Sequence, residues 1–223
     1  MADTTFRLRV TYGKTGRLRF LSHLEVTHAS ERSVRRAGLA YAVTQGFNPR
    51  MKVAFGPALP VGTAGLAESY DVWLTRYLPP ADALGELRRA TPDGLAPIEA
   101  RYVSEREPSL TAALTLAEYE VVVGGPDAGP DRVRTGLEAV LADGKLTLQH
   151  KGTPKVFDLA VFLPKEPTVG EYPGGSMVRM TTRMGASGTL RPEAFISEAI
   201  RRTSADGAVT SVTRTGLRPE GES

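Results

Sequence analysis

Read by hydrophobic period, the chain of 223 residues passes twice through one order of elements: strand, helix, strand, strand, helix, strand. Period-two alternation marks half-buried strands, and spacing of three to four marks helices with one apolar face. The order strand–helix–strand–strand–helix–strand predicts a small antiparallel sheet with both helices on one side and the other side left over.

In the first pass Phe6, Leu8, Val10 and Tyr12 alternate with Arg7 and Arg9 over Thr5–Tyr12. Gly13–Gly16 reads as a turn, after which Leu18 and Phe20 alternate with Arg17 and Arg19. A hairpin here sets Arg9 opposite Arg19, a like-charge pair that needs solvent or an anion between its members. Ser22 and Glu25 have capping-box spacing, so a helix is expected from there to about Ala37, with Gly38 just beyond it. Leu24, Val34 and Ala37 are expected on its inner side, and Glu25, His28, Arg32, Arg35 and Arg36 on a polar stripe. Ala40–Thr44 is the next expected strand, followed by a turn-rich loop over Gln45–Arg50. Arg17–Phe20 and Lys52–Phe55 are treated as extensions of the strands before them. Strand Glu68–Thr75, helix Pro80–Ala90 and strand Pro97–Val103 complete the pass, and 104–114 reads as a polar connection.

The second pass comprises strands Glu118–Val123, Leu146–His150, Met177–Arg183 and Val209–Arg214, with helices Pro130–Ala142 and Pro192–Arg202. Val156–Leu163 is an extra extended piece, and Gly170–Gly175 a glycine-rich stretch. The expected class is α+β: two tandem ferredoxin-like βαββαβ units with antiparallel sheets, residues 1–106 and 115–217. Residues 218–223 are expected to form a disordered tail.

Charge separates the two passes. Residues 1–60 carry ten basic side chains and three acidic ones, a balance of +7. The remainder holds the other 18 of 28 basic and 22 of 25 acidic residues, a balance of −4. The asymmetry points to an anionic partner near the N-terminal part, although a solvated basic surface explains it equally well. There is no cysteine in the sequence. Disulfides, thiolate zinc sites, cysteine nucleophiles and a self-ligated iron–sulfur cluster are thereby excluded. No apolar run is long enough to span a bilayer, and the first residues lack the apolar core of a signal peptide, so a cytoplasmic protein is expected.

A sheet with one bare side offers a nucleic-acid surface when cations and aromatics project from it. The candidate nucleic-acid-binding residues are Arg7, Arg9, Arg17 and Arg19 on the strands, and Arg32, Arg35 and Arg36 on the helix. Phe47, Asn48, Arg50 and Lys52 join them from the loop. Phe47 is the stacking candidate, with the alternative that it folds back onto the core as an anchor. His23 and His28 are weak candidates for general acid–base work in RNA cleavage, and capping or surface roles suit them better. No histidine spacing fits a metal, and no cofactor is expected. Gly185-Ala186-Ser187-Gly188-Thr189 before Pro192 offers backbone amides to a phosphate but lacks the lysine and spacing of a P-loop.

Several blocks resemble a known family. They are Phe20-Leu21-Ser22-His23-Leu24-Glu25, Arg35-Arg36-Ala37-Gly38-Leu39, Gln45-Gly46-Phe47-Asn48-Pro49-Arg50 and Ala58-Leu59-Pro60-Val61-Gly62. Gly185–Glu193 and Thr213-Arg214-Thr215-Gly216-Leu217 follow later. Together they are similar to the radical-SAM-linked protein family, a bacterial domain of unknown function found alone or attached to radical SAM proteins. The resemblance spans almost the whole chain and departs from the pattern at Thr27, His28 and Ser30. It implies a separately encoded radical SAM enzyme as partner and carries over no catalytic residue.

The leading expectation is a non-catalytic accessory protein that binds RNA, transfer or ribosomal, and partners a radical SAM enzyme. A metal-independent endoribonuclease resembling the tandem ferredoxin-like RNA processing nucleases is the first alternative. A protein-interaction scaffold is the second. Whether the chain is an enzyme stays open, with the balance against it.

Overall fold

The alternation at the start of the chain builds the centre of the first sheet. Strand β1 (Phe6–Lys14) buries Leu8, Val10 and Tyr12 in an apolar core and turns Arg7, Arg9 and Thr11 to the opposite side. The computed structural model describes residues 5–150, 153–185 and 188–221, with the backbone alone at His150. Lys151 and Gly152 after the expected strand Leu146–His150, the Ala186-Ser187 centre of the glycine loop and residues 222–223 of the tail lie outside the described residues. The chain divides into two compact units, Met1–Leu114 and Thr115–Ser223.

In the first unit β1 is followed by a 3-10 helix over Gly16–Phe20, not by a hairpin partner. Helix α1 (His23–Arg36), strands β2 (Val53–Phe55) and β3 (Ala64–Leu74), helix α2 (Pro80–Ala90), strand β4 (Pro97–Val103) and a short helix α3 (Leu110–Ala113) complete the unit. Both edges of β1 are taken, one by β3 and the other by β4, each antiparallel. Arg17–Phe20 therefore has no edge to pair with. Leu18 and Leu21 instead donate their amides to Thr15 and Leu18 carbonyls, closing tight turns. Arg9 faces Asp71 and Arg101, not Arg19.

The outer edge of β3 is shared by two short segments. Val53–Phe55 pairs with Tyr70–Val72, while Ala40–Thr44 makes only isolated bridges, Tyr41 to Leu74 and Val43 to Met51. Within this unit the pairing order is thus β2-β3-β1-β4, with Val53–Phe55 and not Ala40–Thr44 as the strand paired to β3. Helices α1 and α2 cover one side through Val26, Ala29, Val34, Ala83 and Leu87.

Helix α1 starts where its sequence says it should. The Ser22 hydroxyl accepts from the Glu25 amide at 3.3 Å, and the Glu25 carboxylate accepts from the Ser22 amide at 2.8 Å. The inner face is made by Val26, Ala29, Ser30, Ser33 and Val34. Leu24, expected inside, is 63% exposed because it falls on the helical face of His28 and Arg35, while Val26 two residues on is buried. Glu25, His28, Arg32, Arg35 and Arg36 all lie on the exposed side.

The second unit contains strand β5 (Leu116–Gly124), helix α4 (Pro130–Ala142), strands β6 (Lys145–His150) and β7 (Thr153–Asp158), and a short helix α5 (Leu159–Phe162). Strands β8 (Thr168–Tyr172), β9 (Gly175–Gly185) and β10 (Gly188–Thr189), helix α6 (Pro192–Arg202) and strand β11 (Ala208–Arg218) follow. Its sheet runs β8-β9-β5-β11, every pairing antiparallel. Strand β6, expected in this sheet, forms a separate hairpin with β7, and the glycine-containing β8 takes the place beside β9. Val156–Leu163 is extended only to Asp158 and then turns into α5. Helices α4 and α6 touch at Gly136, where a Cβ would stand 2.1 Å from the Ala199 carbonyl oxygen. Only glycine permits that approach. The tail begins in order, since Arg218 ends β11 opposite Leu116 and Glu220 pairs with Arg183.

Both units are α+β with antiparallel sheets. No helix among the described residues is long and apolar enough to cross a membrane.

The cap gives two measurable consequences. Ser22→Ala should lower unfolding free energy by about 1 kcal/mol in urea titrations. The backbone and hydroxyl bonds from Ser22 hold the Glu25 carboxyl below the usual carboxylate range. A depressed folded value means that its stabilisation is complete above the unfolded value and fades as pH falls through the folded one. NMR titration should find Glu25 low in the wild type and partly restored in Ser22→Ala.

Candidate functional site

The four strand-borne arginines do not form the open cationic face expected of them. Arg7 is 5% exposed and Asp71 is completely buried. Arg7 donates from Nε and Nη2 to the Asp71 carboxylate at 2.9 and 2.6 Å. Its remaining donors reach the carbonyls of Ser104, Glu107 and Pro108 at 3.4, 2.7 and 3.1 Å. Arg9 donates to both Asp71 oxygens at 2.8 and 3.0 Å and to Glu107 at 3.2 Å. The Asp71 bonds and charge raise the Arg9 guanidinium above its ordinary value, against the opposing pull of burial.

The side of the sheet away from α1 and α2 is therefore occupied. The 104–108 segment, expected as a polar connection, lies across it and satisfies both guanidinium groups. Trp73 on β3 carries Arg7 over its ring at 5.3 Å and the Lys52 ammonium at 4.5 Å, while its indole donates to Glu105 at 2.9 Å. Arg7, Arg9 and Lys52 are structural in these contacts. Sequence pattern could not disclose this, because Asp71 lies 64 residues from Arg7 and the capping carbonyls about a hundred.

Exposed cations remain on α1 and beyond it. Arg32 and Arg36 stand one turn apart on the outer face. Among the described residues no carboxylate pairs with either, nor with Arg17 or Arg50. Arg35 approaches Glu31 at 3.8 Å, a loose surface pair. Arg19 stacks over the Phe20 ring at 4.8 Å. An open groove of about 410 Å³ joins α1 to the Tyr41–Met51 segment, lined by His28, Glu31, Arg35, Tyr41, Pro49 and Arg50 among others. Phe47 at the loop tip is fully exposed, and Asn48 and Arg50 beside it are exposed.

The two histidines are not brought together. His23 packs its ring edge against Phe55 at 5.6 Å beside a small pocket with Tyr12, Lys14 and Glu68, whereas His28 lines the open groove. Among the described residues no three His, Asp or Glu side chains cluster tightly enough to hold a metal ion. Gly188 and Thr189 pair with Gly185 and Met184 as a short hairpin.

Pattern reading missed several exposed apolar side chains. Phe20, Leu24 and Val61 are 56%, 63% and 60% exposed. Phe20 reaches the Gly62 backbone, whose amide donates to the Arg19 carbonyl at 3.0 Å. Large apolar side chains grouped at the surface mark interaction sites. Their signal lay in the motif blocks containing them, not in any hydrophobic period.

The family model described as an uncharacterized protein conserved in bacteria, DUF2344, matches residues 7–192. No curated protein sequence matches the chain. Among solved structures, a chain of a Cbf5–Nop10–Gar1 complex is similar with a TM-score of 0.50 at 12% identity, covering 96% of this chain and 50% of that one. This chain thus spans half the length of that neighbour, and the likeness concerns fold alone. An unknown protein from Galdieria sulphuraria has 15% identity over 92% of this chain and 98% of its own, with a TM-score of 0.28.

Replacing Asp71 tests the ion cluster. Asp71→Ala leaves two buried or nearly buried guanidinium groups without their carboxylate and should cost about 3–5 kcal/mol in denaturant unfolding. A loss below about 1 kcal/mol, the size of a surface pair, would contradict a structural role.

Proposed function

This chain belongs to the DUF2344 family of uncharacterised bacterial proteins, and we propose that it is a non-catalytic RNA-binding accessory protein serving a radical SAM enzyme. The RNA is transfer or ribosomal RNA, and the setting is the cytoplasm. The observation that carries the RNA half is the exposed cationic surface of α1, where among the described residues no carboxylate pairs with Arg32 or Arg36, beside a groove holding Arg35 and Arg50. Cations that are neither buried nor neutralised are free to displace the counterions condensed on a phosphate backbone. The balance of +7 over residues 1–60 supports the same reading.

The partner half is supported by the motif blocks shared with radical-SAM-linked proteins and by the exposed Phe20, Leu24 and Val61. The aliphatic carbons of Leu24 and Val61 gain little from a polyanion and much from a protein surface. We also read each unit as ferredoxin-like. The unit orders β2-β3-β1-β4 and β8-β9-β5-β11 support that reading, as does the chain order, which sets one helix before and one after the strands β2 and β3, and β8 and β9.

Filter binding of total transfer RNA across a salt series tests the RNA half. Affinity should fall steeply with salt, and the double change Arg32→Glu with Arg36→Glu should lower the log–log slope by about two. Binding that ignores salt, or none at about 50 mM salt, would remove the RNA reading.

A further inference from the structure

We infer that the groove between α1 and the Tyr41–Met51 segment takes unpaired nucleotides, with one base stacked on Phe47, and not a duplex. This rests on the RNA reading above and narrows it to a substrate class.

The loop bearing Phe47 is pinned at its base. Val43 bridges Met51, the Thr44 amide donates to the Arg50 carbonyl at 2.8 Å, and the Arg50 amide donates to the Thr44 hydroxyl at 3.1 Å. Between these ties Gly46 adopts φ of +142°, a conformation open to glycine and costly for other residues. Pro49 fixes its own φ on the far side. The arch holds the Phe47 ring out at 101% relative exposure. A ring held in water by a closed loop forgoes the burial that aromatic carbons ordinarily gain.

The surroundings select the ligand. The charged or titratable side chains lining the groove are His28, Glu31, Arg35, Tyr41 and Arg50, so cations outnumber the single carboxylate. Phosphates fit beside Arg35 and Arg50, and Phe47, three residues before Arg50 on the same loop, offers an exposed ring face to a base. In an A-form duplex the base faces are covered by their stacked neighbours and the major groove is too narrow for side chains. A projecting phenyl ring can engage only a base that has left its stack. Stacking on an aromatic ring is tolerant of base identity, which suits a site whose other contacts are phosphate-seeking cations.

The test uses the whole chain and a short fluorescein-labelled RNA of mixed A and U without self-complementarity, alone and annealed to its complement, read by anisotropy. The single strand should bind about tenfold tighter than the duplex, and Phe47→Ala and Phe47→Leu should each weaken it about tenfold. Phe47→Trp should retain affinity and lose emission on binding beyond any change shown by the wild type with Trp73 alone. Phe47 is fully exposed, so these changes leave the core untouched. Equal affinity for the duplex, or a Phe47→Ala protein that binds the single strand as before, overturns the unpaired-nucleotide site while the RNA reading stands. Absence of binding to both RNAs overturns the RNA reading and this inference together.

Discussion

Asp71 is a fully buried carboxylate held between two guanidinium groups, and the first unit is arranged around that contact. A buried charge is tolerated only when it is paired and its remaining hydrogen-bonding capacity is met. Arg7 spends its other donors on the Ser104, Glu107 and Pro108 carbonyls, and Arg9 reaches Glu107. Two arginines thus meet two carboxylates, and the chain after β4 is drawn back over the sheet to complete the set. Trp73 packs against the same cluster and carries Lys52 on its ring. One side of the sheet holds apolar packing and the other an internally neutral ionic layer.

That layer decides where function can reside. Arginines committed to Asp71 have neither exposure nor spare charge for a polyanion. The positive surface is left to side chains with no internal duty, those of α1 and the Gln45–Arg50 loop. The apolar group at Phe20, Leu24 and Val61 lies near the first turn of α1 and so presents a different chemistry from the cationic groove. The proposal assigns protein to one and RNA to the other.

Local signals in the sequence translated well. The capping box set the start of α1, the i, i+3, i+4 stripe gave its exposed cations, and helices Pro80–Ala90, Pro130–Ala142 and Pro192–Arg202 matched their expected limits. What failed depended on partners distant in sequence. The alternation of Arg7 and Arg9 identified the correct side of β1 but not the Asp71 waiting there. Arg17–Phe20 looked extended because its leucines and arginines alternate, yet β3 and β4 had already taken both edges of β1. Ala40–Thr44 and Val53–Phe55 are both short and largely apolar, and only competition for the edge of β3 decides which becomes the paired strand. Leu24 has a core residue's chemistry but falls on the helical face of His28 and Arg35, and position prevails.

The central claim is that α1 and the Gln45–Arg50 loop contact RNA while the Arg7–Asp71–Arg9 layer remains internal. Hydrogen–deuterium exchange on the whole chain with and without transfer RNA addresses it directly. The account predicts new protection in peptides covering 28–36 and 41–51, with exchange over Phe6–Lys14 and Ala64–Leu74 unchanged. Protection confined to those strands or to the second unit, with α1 and the loop unaffected, would contradict it.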